Sequence, residues 1–128
     1  MAKISSNFYW LRKFYYAFYG FYIAFREEKS MLIHTFVSIL VLVFSAAIKL
    51  SVTQWPVIVL TIALVVTLEL INTAIENIVD IISFKYNLNA KKVKDISAAA
   101  TMVVALASIS ISLLVFIPRI IEIAKYGY

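Results

Sequence analysis

The chain has no cysteine, two glycines and two prolines among 128 residues. Without cysteine there is no disulfide, no thiolate nucleophile and no sulfur-ligated metal. The two glycines, Gly20 and Gly127, lie far apart. They build neither a glycine-rich phosphate loop nor a dinucleotide fingerprint, so any nucleotide site must work without one. Charge is also scarce: 15% of residues are charged and 63% are hydrophobic. Soluble domains carry about a quarter charged and about half apolar residues. This composition indicates an integral membrane protein of a few spans. The net charge of +5 is spread too thinly to point to a nucleic-acid partner and reads instead as membrane topology.

Residues 1–30 are rich in aromatics. Eleven of the nineteen aromatic residues fall between Phe8 and Phe25, interleaved with Arg12 and Lys13. The segment is too polar to span and predicts an amphipathic helix lying in the membrane interface. It lacks the continuous apolar core and the cleavage site of a signal peptide. The charged cluster Arg26-Glu27-Glu28-Lys29 follows. Three helices containing spans are then expected, at 31–48, 55–84 and 90–118, in one domain covering 1–128. The first has 18 residues, Met31 to Ile48, about 27 Å at helical rise. His34, one turn in, reads as a hydrogen-bonded interface residue. Trp55-Pro56 suits the start of the second helix. Asn89 is the expected N-cap of the third, and Pro118-Arg119 its expected end. Ser97, Thr101, Ala105, Ser108 and Ser112 form a stripe expected to serve close packing. No repeat or low-complexity segment interrupts this plan.

Within the second helix lies Glu69-Leu70-Ile71-Asn72-Thr73-Ala74-Ile75-Glu76-Asn77-Ile78-Val79-Asp80. Glu69, Asn72, Thr73, Glu76 and Asp80 share an arc of roughly 100° on one helix face. The remaining surface is aliphatic. A polar seam between helices explains Asn72 and Thr73. It explains the acids poorly, because an ionisable group at membrane depth is costly and carboxylates repel one another without a cation.

Nine Lys and Arg residues lie in the N-terminal segment and the second loop, against three in the first loop and the tail. This asymmetry puts the N-terminus in the cytoplasm and the C-terminus outside. Glu28, Glu76, Lys94 and Asp95 then share the cytoplasmic boundary. Glu69, seven residues before Glu76, lies roughly 10 Å deeper. Carboxylates for Mg²⁺, a lysine for phosphate oxygens and a deeper base for a hydroxyl entering from the membrane are the parts of phosphoryl transfer. Lys91 and Lys92 read as topological anchors.

The pattern Glu69-x-x-Asn72-Thr73-Ala74-Ile75-Glu76-x-x-x-Asp80, followed by Ala90-Lys91-x-x-Lys94-Asp95-x-x-Ala98-Ala99, resembles the signature of the prokaryotic diacylglycerol kinase family. Glu28, with Gly20 eight residues before it, fits as well, so the resemblance covers most of the chain. It implies a homotrimeric membrane kinase with three spans and an amphipathic N-terminal helix per subunit, sites shared between subunits, and a need for ATP and Mg²⁺. It implies Glu69 as general base at the lipid hydroxyl, and Glu28 and Glu76 as metal ligands. Tyr16, Glu28, Asn72, Glu76, Lys94 and Asp95 would line the nucleotide site, with the turn Lys85-Tyr86-Asn87 at the adenosine. Where some members carry a basic lipid-site residue this chain has Tyr9, and Arg12 stands nearest in its place.

Members of the family act on undecaprenol or diacylglycerol. Glu28 with Ile33-His34, and the wording Glu69-Leu70-Ile71-Asn72, resemble the undecaprenol branch. The expected activity is ATP-dependent phosphorylation of undecaprenol in the cell (inner or plasma) membrane, with diacylglycerol as the alternative substrate. From the residues alone two other classes remain: a proton-coupled transporter using Glu69, and a structural membrane subunit.

Overall fold

The computed structural model describes residues 6–83 and 87–127. Four helices follow one another: α1 (Ser6–Glu27), α2 (Lys29–Ala47), α3 (Trp55–Ile82) and α4 (Leu88–Tyr126). The last three are long and apolar enough to cross a membrane. α3 is central, with α2 and α4 packed along it and α1 leaning on α2 and α3.

The helices break where local chemistry allows. Glu28 adopts an extended conformation between α1 and α2, and its N–H reaches the Ala24 carbonyl at 3.0 Å. Ala24 and Met31 are buried on either side of this elbow. At the other end of α2, Lys49 takes a positive φ of 52°. Its N–H donates to the Ala46 carbonyl at 3.1 Å, and that of Leu50 to Ser45 at 3.2 Å. This paired closure satisfies carbonyls that a helix end otherwise leaves without partners. Ile48, Leu50 and Ile58 form the apolar core there, backed by Trp55, Val115 and Phe116. Arg119 fastens the same corner: its Nε donates to the Ile48 carbonyl at 3.0 Å, and its Nη1 lies 2.7 Å from Glu122.

Three sequence expectations change. α4 does not stop at Pro118-Arg119 but continues to Tyr126. Proline removes one helical donor. The tail keeps its helix because Arg119 is anchored on α2 and Ile123 packs on the core. The N-cap of α4 is Asn87, not Asn89: the Asn87 side chain accepts from the Asn89 N–H at 2.9 Å. An N-cap is extended, with an acceptor facing the N2 donor, and Asn87 meets both conditions.

The small-residue stripe of α4 is the third. Ser97 is buried, as close packing requires. Ala105, Ser108 and Ser112, however, line a groove of about 410 Å³ with residues of α2 and α3. Ser108 and two further hydroxyls of the groove, Ser38 and Thr61, each donate to a carbonyl of their own helix at 2.7 Å. With these three hydroxyls turned back on the backbone, the groove presents a mostly apolar surface.

Candidate functional site

α3 wears its polar face inward. Glu69, Asn72 and Thr73 are buried, and Ile71, Ile78, Ile81 and Ile82 point out. This inverts a soluble helix and fits one whose surroundings are lipid. Glu69 is 4% exposed. Across from it on α2, His34 Nε2 lies 3.7 Å from Glu69 Oε2. That separation is beyond a hydrogen bond but within ion-pair reach. His34 thus faces a carboxylate as well as the groove, where the sequence offered only a hydrogen-bonded interface residue. No local pattern joins positions 34 and 69, since their contact is made by helix packing.

One turn along α3, Asn72 Nδ2 donates to Glu76 Oε1 at 3.0 Å. A carboxylate can only accept, which fixes the amide nitrogen toward it and leaves the amide oxygen over. That oxygen, Asn72 Oδ1, is buried without a partner. A buried acceptor without a donor is costly and calls for an explanation. A carboxylate joined to an unspent carbonyl oxygen is a donor set suited to a hard cation such as Mg²⁺. Among the described residues no three histidine or acidic side chains are placed to hold a metal ion by themselves.

Lys94 meets α3 from α4. Its Nζ lies 2.5 Å from Asp80 Oδ1, and the charges of Glu76 and Glu28 act on it as well. Glu28, Glu76, Asp80 and Lys94 therefore occupy one neighbourhood, drawn from α3, α4 and the elbow between α1 and α2. Asp80 belongs to the polar arc of α3 but was not singled out in the sequence as a site residue. Its spacing from Glu76 was the available signal.

The other expected residues are placed less centrally. Asp95 is on the exposed surface of α4. Arg12 and Tyr16 are exposed on α1, where Arg12 Nη2 is 3.3 Å from the Tyr16 hydroxyl and the guanidinium lies over its ring. Among the described hydrogen bonds and ion pairs, none ties this pair to the acids. Asn87 spends its side chain as the α4 cap. Lys85 and Tyr86 lie outside the described residues.

Comparison with known proteins gives this geometry its family. The profile of the prokaryotic diacylglycerol kinases matches residues 15–116. The chain belongs to that family. It is similar to an undecaprenol kinase of Bacillus subtilis (strain 168), with 37% identity over 109 residues, 85% of this chain and 89% of the relative. It is also similar to a diacylglycerol kinase of Synechocystis sp. (strain ATCC 27184 / PCC 6803 / Kazusa), with 32% identity over 114 residues. That match covers 88% of this chain and 65% of the relative. Family membership makes the chain a membrane-embedded lipid kinase, with ATP as phosphate donor, and sets aside the transporter and structural-subunit readings.

The unpaired amide oxygen yields a stability prediction. Asn72→Leu removes a buried polar group that is only partly satisfied, beside an apolar groove lined by Leu68, Ile75 and Ile96. The change should cost about 1 kcal/mol, the net worth of a single hydrogen bond, because the Glu76 carboxylate that loses its donor is only partly covered. If Glu76 holds a metal ion, loss of its partner should meanwhile lower lipid phosphorylation by about 10- to 100-fold, the usual effect of removing an outer partner of a metal ligand. Unfolding in detergent and a kinase assay on the same preparation measure both effects. A variant that loses stability and activity together would make Asn72 a packing residue.

Proposed function

We propose that the protein transfers the γ-phosphoryl group of ATP to the hydroxyl of undecaprenol in the plasma membrane. The single observation that carries the site is a buried carboxylate, Glu69, set below a neighbourhood of charged groups formed by Glu28, Glu76, Asp80 and Lys94. The choice of undecaprenol rests on the 37% identity with the Bacillus relative and on the wording around Glu28 and Glu69. Diacylglycerol is the second reading, favoured by the Synechocystis relative.

Each residue has a task in this reading. Glu69 removes the proton from the lipid hydroxyl as its oxygen attacks. Lys94, poised beside Asp80, neutralises phosphate oxygens. Glu76, held by Asn72, and Glu28 at the elbow would hold Mg²⁺. When bound, the ion spreads the negative charge of the phosphates. Tyr16, Lys85, Tyr86, Asn87 and Asp95 remain candidates for contact with the nucleotide, and Arg12 for contact with the lipid. The apolar groove beside His34 offers a bed for the lipid chain, so that its hydroxyl end meets Glu69. α1, with Tyr15 and Tyr19 stacked 6.3 Å apart along an exposed face, lies in the interface. The N-terminus is cytoplasmic and the C-terminus outside, by the lysine and arginine asymmetry.

The active unit is a homotrimer with shared sites. Glu76 is only partly covered and Asp80 is exposed in a single chain. Lipid would penalise Glu76 at the membrane boundary, so a second copy covers that part of the stripe. The number three comes from the family resemblance. Native mass measurement in mild detergent should show trimers carrying the activity, and active monomers would overturn this assembly.

The function itself is tested with purified protein, labelled ATP and Mg²⁺, offering undecaprenol and diacylglycerol separately. Label should pass to undecaprenol with the higher kcat/KM. Faster labelling of diacylglycerol would exchange the two readings, and labelling of neither would reject both.

A further inference from the structure

Glu69 poses a problem that its role as base does not solve. After each transfer it holds the proton taken from the lipid. At 4% exposure it has almost no contact with water through which to lose it. A base that cannot shed its proton works once. Among the described residues the structure places one titratable side chain against it: His34, with Nε2 3.7 Å from Oε2. The His34 ring is 31% exposed and the Glu69 side chain 5%. The histidine therefore touches both the buried carboxylate and the surroundings. Imidazole is the side chain that most readily takes and releases a proton near neutral pH.

We propose that His34 is a positioning residue for Glu69 that also receives its proton and carries it out of the site. This rests on the kinase reading above. In the transfer, the lipid oxygen forms a bond to the γ-phosphorus. The bond from that phosphorus to the bridging oxygen breaks, and its electron pair leaves with ADP. The O–H proton of the lipid passes to Glu69, then from Glu69 to His34 Nε2, and from the imidazolium to interfacial water at the charged start of α2, about one turn away. No reactant beyond ATP and the lipid alcohol is needed. The observed separation is about half an ångström beyond a good hydrogen bond, and contacts of this kind tighten when substrate closes the site.

The geometry supports the pairing beyond the single distance. The Ser38 hydroxyl donates to the His34 carbonyl at 2.7 Å, so it is already engaged with the backbone. Asp80 faces Lys94, and Glu76 faces Asn72. Among the described ion pairs, Glu69 is met by His34 alone.

The test uses the full chain in its membrane or detergent-solubilised assembly, with Mg²⁺-ATP and whichever lipid the parent phosphorylates. His34→Ala should lower kcat by about 10- to 100-fold, less than the full worth of a general base, while KM for ATP stays near that of the parent. Added imidazole should restore kcat of the Ala variant in a concentration-dependent way and leave the parent unaffected. His34→Gln, which can hold a carboxylate by a hydrogen bond but cannot carry a proton, should stay impaired. Full activity in either variant would overturn the proposal. So would an impaired Ala variant that assembles normally and gains nothing from imidazole, since His34 would then be structural. If the Ala variant does not assemble, an impaired Gln variant with parental KM for ATP supports proton transfer, and an active one contradicts it. A parent inactive on both lipids defeats the kinase reading, and this inference with it. An active parent with indifferent His34 variants defeats this inference alone.

Discussion

The cost of keeping a carboxylate inside a membrane helix bundle governs this molecule. Glu69 sits among apolar helices at 4% exposure, and a charge there costs at least a few kcal/mol unless it is enclosed and paired. The inverted character of α3 follows from this, because its isoleucines can face lipid while its acids cannot. So does the placement of His34 on α2, and of Lys94 on α4 against Asp80. In a single chain part of the acidic row, Glu76 and Asp80, remains uncovered by its own helices.

The bundle divides its labour between its two ends. At one end the α2 terminus closes on itself, Arg119 bridges α4 to the Ile48 carbonyl, and Ile48, Leu50 and Ile58 pack together. Phe44 and Phe116 meet edge to face there at 5.2 Å. These contacts are apolar or spent on backbone, and they fix the helices against one another. At the other end the groups of opposite charge gather, with the Glu28 elbow between α1 and α2 beside them. Rigid packing at the closed end sets the spacing of the charged side chains at the open end. That preorganisation is what phosphoryl transfer requires of a protein.

Much of this was legible in the sequence, and the reasons are physical. Long apolar runs in a chain with 15% charged residues located the three spans to within a few residues, apart from the end of α4. Helical periodicity put Glu69, Asn72, Glu76 and Asp80 on one face, and the structure keeps the first two buried. What depends on packing between helices stayed out of reach. His34 meets Glu69 only because α2 and α3 lie side by side. The groove along Ala105, Ser108 and Ser112 exists because small residues leave space when no larger neighbour fills it. Local chemistry misled at two points: Asn87 outcompetes Asn89 as a cap because its backbone is extended, and Pro118 does not end a helix whose far side is anchored by Arg119. The nucleotide contacts implied for Tyr16 and Asp95, and the lipid contact implied for Arg12, draw no support from a single chain, where all three are exposed.

The central claim is that Glu69 is a base for the lipid hydroxyl and takes no part in holding the nucleotide. The most direct measurement is on Glu69→Gln, which keeps shape and hydrogen-bonding capacity but cannot accept the proton. Turnover of the lipid substrate and affinity for Mg²⁺-ATP are read on the same assembled protein. The account predicts a loss of about 10²- to 10⁴-fold in kcat with nucleotide affinity close to that of the parent. A variant with parental turnover would remove Glu69 from the chemistry and leave Asp95 as the next candidate base. A variant whose nucleotide affinity collapsed along with its turnover would place Glu69 in the nucleotide site.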